Sequence, residues 1–162
     1  MTVSEIMKKM VDFSEGNLHD INHFMKVYGF AKTIGELEKL DGETQFVLEV
    51  AAITHDIACP LCREKYGSTN GKYQEQEGMP LVRAFLADAD LSETQLERVV
   101  YLVGHHHTLT GVEGLDYQIL LEADYLVNAD ESHHSVQQIE SAKRTFFRTE
   151  AGLAMLEAIY GG

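Results

Sequence analysis

Apolar residues recur three and four positions apart along nearly the whole chain, and no segment sustains the every-second-residue alternation of a strand. The pattern predicts helices throughout. Thr2-Val3-Ser4-Glu5 has capping-box spacing and opens a short helix carrying Ile6, Met7, Met10 and Val11, which Gly16 and Asn17 end. A second helix runs from about His19 to Leu40, with Val27, Phe30, Ala31, Ile34 and Leu37 as its buried stripe and His23 one turn before Val27. A third, from about Glu43 to Ala58, carries Phe46, Val47, Leu48, Val50, Ala51, Ala52 and Ile53 and is apolar nearly all round. Such a helix belongs at the centre of a domain.

Pro60 should end that helix soon after His55-Asp56, and Cys59 to about Gly71 is expected to be a loop long enough to act as a lid. Pro80 suits the first turn of a fourth helix reaching about Asp88, unless Tyr73–Gly78 is itself helical and meets it at a kink. Ser92-x-x-Gln95 caps a fifth helix, whose Leu96, Val99, Val100 and Val103 face inward up to His105-His106-His107. After the glycine-containing stretch Thr108–Leu115, a sixth helix starts near Asp116. It buries Tyr117, Leu120, Leu121 and Val127, with Asp124 on the same face. Two more helices, about Ser135–Lys143 and Thr149–Tyr160, present Val136, Ile139, Leu153, Leu156 and Ile159 for packing, with Phe146-Phe147 between them. Residues 1–162 thus read as one compact all-α domain of about seven or eight helices, without repeat or linker.

Composition changes this picture little. The chain has 162 residues, 44% of them hydrophobic and 24% charged, which is ordinary for a globular protein and enough for a core without staples. No apolar run approaches a membrane span and Met1–Lys9 lacks signal-peptide architecture, so no membrane association and a cytoplasmic location are expected. The formal net charge of −13 argues against general nucleic-acid binding, which needs clustered Lys and Arg on phosphates. A small anion remains compatible if bases gather locally, and Arg63, Lys65 and Lys72 are the strongest such group. Cys59 and Cys62 lack the further ligands of a structural zinc site and the strand-helix context of a redox motif. They read as two reduced thiols in a loop. Oligomeric state is not legible.

The candidate chemistry lies where charge meets the apolar pattern. His23, the pair His55-Asp56, and Asp124 come from three separate helices and all fall on faces that should be buried. Singly, each could be a hydrogen-bonded core residue or a cap partner. Together they are groups that need compensation, and one metal ion could compensate all of them. Successive helical residues point about 100° apart, so His55 and Asp56 could supply neighbouring vertices of an octahedral ion. A set of two imidazoles and two carboxylates suits Mn, Fe, Co or Ni better than Zn or Mg.

At these residues the chain resembles the HD superfamily of metal-dependent phosphohydrolases. His19-Asp20-Ile21-Asn22-His23-Phe24-Met25-Lys26-Val27 is similar to the opening motif of small members, His55-Asp56 is the doublet that names the family, and Glu122-Ala123-Asp124-Tyr125-Leu126 is similar to its terminal aspartate motif. The resemblance covers about Leu18–Asn128. It implies that His23, His55, Asp56 and Asp124 are ligands and that one or two of the later histidines stand beside the site. Tyr73–Gly78, where two-metal relatives carry another histidine, has none, so a mononuclear centre is expected.

On this reading Asp56 would ligate the ion and orient a water, and His105 or His106 would assist the leaving group. Lys26, Arg63, Lys65 or Lys72 would neutralise the phosphate of a nucleotide or another small phosphorylated metabolite. His107 is the least suited of the three consecutive histidines to act, and His133 and His134 should be solvated. A non-catalytic module that binds a nucleotide or metal, and a purely structural helical domain with the inward charges paired internally, are the competing readings.

Overall fold

The computed structural model describes residues 1–161, and among them nine helices and no strand are present: α1 (Val3–Phe13), α2 (Leu18–Leu37), α3 (Gly42–Thr54), α4 (Cys59–Tyr66), α5 (Gly71–Phe85), α6 (Glu93–Val103), α7 (Leu115–Glu131), α8 (Val136–Thr145) and α9 (Glu150–Tyr160). Composition sorts them by depth. Every residue of α3 from Val47 to Thr54 is buried, and α1, α2, α6 and α7 pack around it. Capping boxes at Thr2/Glu5, Ser92/Gln95 and Ser135/Gln138 open α1, α6 and α8, satisfying backbone N–H groups that the first turn leaves free.

The largest departure from the sequence pattern follows α3. Residues 55–58 form tight turns, and Cys59–Tyr66 is helical where a loop is expected. Pro60 explains both features. It lacks the N–H that would bond the Asp56 carbonyl four residues back, so that carbonyl accepts instead from Cys59 N–H at 2.9 Å. The chain bends there, and Pro60 then sits in the first turn of α4, where its missing donor costs nothing. The composition of Gly42–Tyr66 would suit a membrane span, yet 72% of its most apolar window is buried inside the fold. Its hydropathy belongs to a core helix.

Helix α5 is continuous through Pro80, so Tyr73–Gly78 belongs to the same helix. Three expected packing residues lie outside: Leu37, in the last turn of α2, is 62% exposed, Val136 73% and Ile159 47%. The last two sit on short helices at the surface, whose inward faces are Ala142 with Ile139 on α8 and Leu156 with Leu153 on α9.

One buried carboxylate ties α7 to the segment leading into α9. Glu122 is completely buried and accepts from Gln118 Nε2, the Arg148 and Thr149 backbone N–H groups, and the Thr149 hydroxyl. Four donors compensate a charge that would otherwise be costly. A Cβ at Gly152 would lie 1.8 Å from Glu122 Oε1 and 2.7 Å from Thr149 Oγ1. Because Glu122 cannot move without losing those bonds, Gly152→Ala should lower unfolding stability by about 2 kcal/mol, measured in urea. An unchanged denaturation midpoint would show that the network yields freely.

Candidate metal centre

Three elements converge on one point beneath the surface. α2 brings His23, the break after α3 brings His55 and Asp56, and the middle of α7 brings Asp124. His23 Nε2 lies 3.1 Å from Asp56 Oδ2, 3.2 Å from Asp124 Oδ1 and 3.1 Å from His55 Nε2. His55 Nε2 lies 3.3 Å from Asp124 Oδ1 and 3.5 Å from Asp56 Oδ1. The bend imposed by Pro60 therefore places the doublet at a helix end, with both side chains on the same centre.

The outward ring nitrogens reveal what the inward ones can do. His23 donates from Nδ1 to Glu131 at 2.8 Å, His55 from Nδ1 to the Ala52 carbonyl at 2.7 Å, and His106 from Nδ1 to the Val103 carbonyl at 2.7 Å. In each neutral ring Nε2 then carries a lone pair aimed inward. Lone pairs facing one another and facing carboxylate oxygens repel unless a cation lies among them. A proton or a divalent ion meets that need, and histidines held through Nδ1 by a carboxylate or carbonyl are the usual metal arrangement.

Charge accounts for the proton alternative. Burial opposes protonation of His23, but hydrogen bonds and charges from Asp124 and Asp56 outweigh it and push its pKa up to about 11. Burial likewise opposes a charged His55, whose pKa is nevertheless raised by Asp56 and Asp124. Desolvation would push both carboxylates up, yet the neighbouring imidazoles hold Asp56 and Asp124 well below the ordinary range. Without an ion, the centre holds its own protons.

Of the remaining sequence candidates, the structure brings some to this centre and not others. His106 Nε2 lies 3.4 Å from Asp56 Oδ1 and 3.2 Å from Gln74 Oε1, while His107 Nε2 lies 3.0 Å from the same Gln74 oxygen. Asp56, His106 and His107 thus form a second group with ligand atoms close enough to share an ion. Gln74 occupies the histidine-free stretch of α5, and a Cβ on Gly71 would come within 2.7 Å of the His107 ring, so only glycine permits this close approach. His107 therefore stands at the site, contrary to its low sequence ranking. His105 does not: its ring stacks on Tyr101 at 3.9 Å and bonds the Tyr101 carbonyl, one turn back on α6.

The basic candidates separate in the same way. Arg63 lines the cleft over the centre, beside His19, Thr69 and Asn128, and makes two bonds of 2.8 and 2.7 Å to Asp20. Lys65 is drawn off by Glu77 at 2.8 Å, Lys26 lines a different cavity with Phe30 and Tyr160, and Lys72 is exposed at the start of α5. Sequence spacing missed Glu131 and Gln74 because neither falls on a recognisable motif. Glu131 was open to inference only as an acid two turns after Asp124.

Metal binding should compete with these protons. His23 is charged at neutral pH in the ion-free protein, and an ion needs its neutral form, so affinity must rise with pH. The apparent Kd for Mn²⁺ should fall about tenfold per pH unit between roughly pH 6 and 8 for each proton released. Calorimetry in buffers of different ionisation enthalpy measures that release directly; a pH-independent Kd would contradict the assignment.

Comparison with known proteins places these residues in a family. A crystal structure of a predicted HD superfamily hydrolase from an uncultured Thermotogales bacterium shares this fold with a TM-score of 0.72 at 24% identity, over 98% of this chain and 84% of that one. No curated protein matches the chain. The model of the HD domain family matches residues 20–144, a span that holds His23, the His55-Asp56 doublet, His106 and Asp124, and the chain belongs to the HD domain family.

Proposed function

We propose that the protein is a metal-dependent phosphohydrolase of the cytoplasm, acting on a nucleotide or another small phosphorylated metabolite. The observation that supports this most is the convergence of His23, His55, Asp56 and Asp124 on one point while the outward nitrogens of both imidazoles are committed elsewhere. The structurally similar bacterial protein is described as a predicted hydrolase, which agrees with it.

Those four side chains would hold one divalent ion, with Mn, Fe, Co or Ni favoured over Zn or Mg by the mixed nitrogen and oxygen donors. When bound, such an ion lowers the pKa of a water and polarises a phosphoryl oxygen. Asp56 has one oxygen toward His23 and the other toward His106, so it can ligate with one and accept a proton from the attacking water with the other. His106, nearly buried and fixed through Nδ1, would hold or deliver the proton at the leaving oxygen. Arg63 is the basic side chain among those lining the cleft, and Asp20 uses two of its five N–H donors, so the others can meet a phosphate. We assign one tightly held ion to the four-residue set because it carries two carboxylates, whereas Asp56, His106 and His107 share a single one.

His55→Ala and Asp56→Ala should each lose bound metal and lower turnover by about three orders of magnitude while helical circular dichroism persists. Elemental analysis of the purified wild type should find one equivalent per chain, retained in His107→Ala. Undiminished hydrolysis by metal-depleted Asp56→Ala protein would eliminate the mechanism. Arg63→Ala should raise KM roughly tenfold with metal content intact, and Arg63→Lys should not restore it because the paired bonds to Asp20 are lost. Lys65→Ala should leave KM unchanged; a tenfold rise would return that lysine to the substrate site.

A further inference from the structure

The cleft over the metal centre does not end there. It has a volume of about 170 Å³, and through Asp124, His107 and Asn128 it joins a second cavity of about 240 Å³ walled by Leu109, Tyr125 and Phe146. The same three apolar residues also wall a third cavity of about 530 Å³, which extends along α8 past His134 and Gln138. Through these shared walls the three cavities adjoin one another as successive parts of a groove, from Asp56 and Asp124 to the face between α7 and α8.

The chemistry changes along it. At the metal end the walls are carboxylates, imidazoles and Arg63. Beyond Asn128 they become Leu109, Leu121, Tyr125 and Phe146, with the neutral polar groups of Gln138, Ser141 and Thr145 and the His134 imidazole. No Lys or Arg lines either outer cavity among the described residues, so a second phosphate placed there would meet no cationic partner. The aromatic walls are themselves ordered. Phe146 meets Tyr125 edge to face at 5.3 Å, and the Tyr125 hydroxyl is bonded to His134 Nδ1 at 3.0 Å. His134, which the sequence alone suggests is solvated, is half-buried and stands in the groove wall.

We infer that this groove is the subsite for the leaving group of the phosphate ester, and that it selects an uncharged planar heteroaromatic ring such as a nucleobase. The inference rests on the phosphohydrolase reading above only for where the phosphate sits. A flat ring gains stacking and apolar contact from Tyr125, Phe146 and Leu109, worth about tenfold or more in affinity. The Asn128 carboxamide, the Gln138 amide nitrogen, whose oxygen is held in the α8 capping box, and His134 Nε2 offer polar contacts to the ring edge, which a purely hydrocarbon ring cannot use. An acyclic polyol would gain neither. Substrates carrying one phosphate at the metal and no further charge should therefore be preferred.

Equilibrium binding to the Mn²⁺-loaded protein tests this independently of turnover, using adenosine and thymidine monophosphates, naphthyl phosphate and glycerol phosphate. At least one nucleotide should bind about tenfold more tightly than glycerol phosphate and more tightly than naphthyl phosphate. Phe146→Ala should shrink the first ratio toward unity. Leu109→Asp should do the same from a position 52% exposed, where the substitution spares the core if the Phe146 variant fails to fold. Equal binding of glycerol phosphate and both nucleotides would overturn the subsite, as would ratios unchanged in both variants. Naphthyl phosphate binding as tightly as the better nucleotide would overturn selection of a heteroaromatic ring. Selective binding without hydrolysis of any ester would support the groove while removing the phosphohydrolase reading.

Discussion

Everything at the centre of this protein follows from one electrostatic constraint: inward-facing lone pairs from three helices must be held together by positive charge. His23 Nε2 and His55 Nε2 approach to 3.1 Å, and the Asp56 and Asp124 oxygens lie almost as near. With the Nδ1 positions engaged by Glu131 and Ala52, the rings cannot turn away to relieve the repulsion. Either protons or an ion must fill the gap. The same arrangement that makes an ion-free centre a strong proton trap makes it a preorganised ligand set, because no hydrogen bond outside the centre must break for the ion to enter.

The fold supports that constraint by stiffness rather than by extra polar contacts. From Val47 to Thr54 α3 is buried on all sides, so the doublet at its end is anchored by the core itself. The Pro60 break then stops the helix within one turn of His55 and Asp56 and directs the chain into α4, which carries Arg63 to the rim. On the other side, Glu122 holds the approach to α9 while Asp124, two residues on, faces the centre. Neighbouring acids on one helix thus serve different ends. One is satisfied entirely by protein donors; the other faces the imidazoles of His23 and His55.

Charge is distributed to match. The surface is strongly acidic, and most basic side chains are consumed in pairs such as Lys65 with Glu77 or Arg98 with Asp116. Arg63 is itself bridged to Asp20, which fixes its position at the rim while leaving donors free. Little positive charge is spread around the cleft, where Arg63 is the one guanidinium or ammonium among the lining residues.

The sequence by itself determined the helical periodicity, the depth of α3, the capping boxes and the four residues whose charges fall on buried faces, because those depend on local spacing and on the cost of burying charge. It could not determine that Cys59–Tyr66 is helical, since proline ends one helix and starts another by the same missing N–H. Nor could it separate His105 from His106 and His107. Adjacent residues on a helix end differ by about 100° in direction, and only the packing of α5 against α6 decides which of them meets Asp56. Lys26, Lys65 and Lys72 were indistinguishable from Arg63 in sequence for a similar reason: only the packing decides that Lys65 meets Glu77, Lys26 lines another cavity and Arg63 reaches the cleft. Glu131, Gln74 and the groove past Tyr125 and Phe146 exist only because helices distant in the chain are packed side by side.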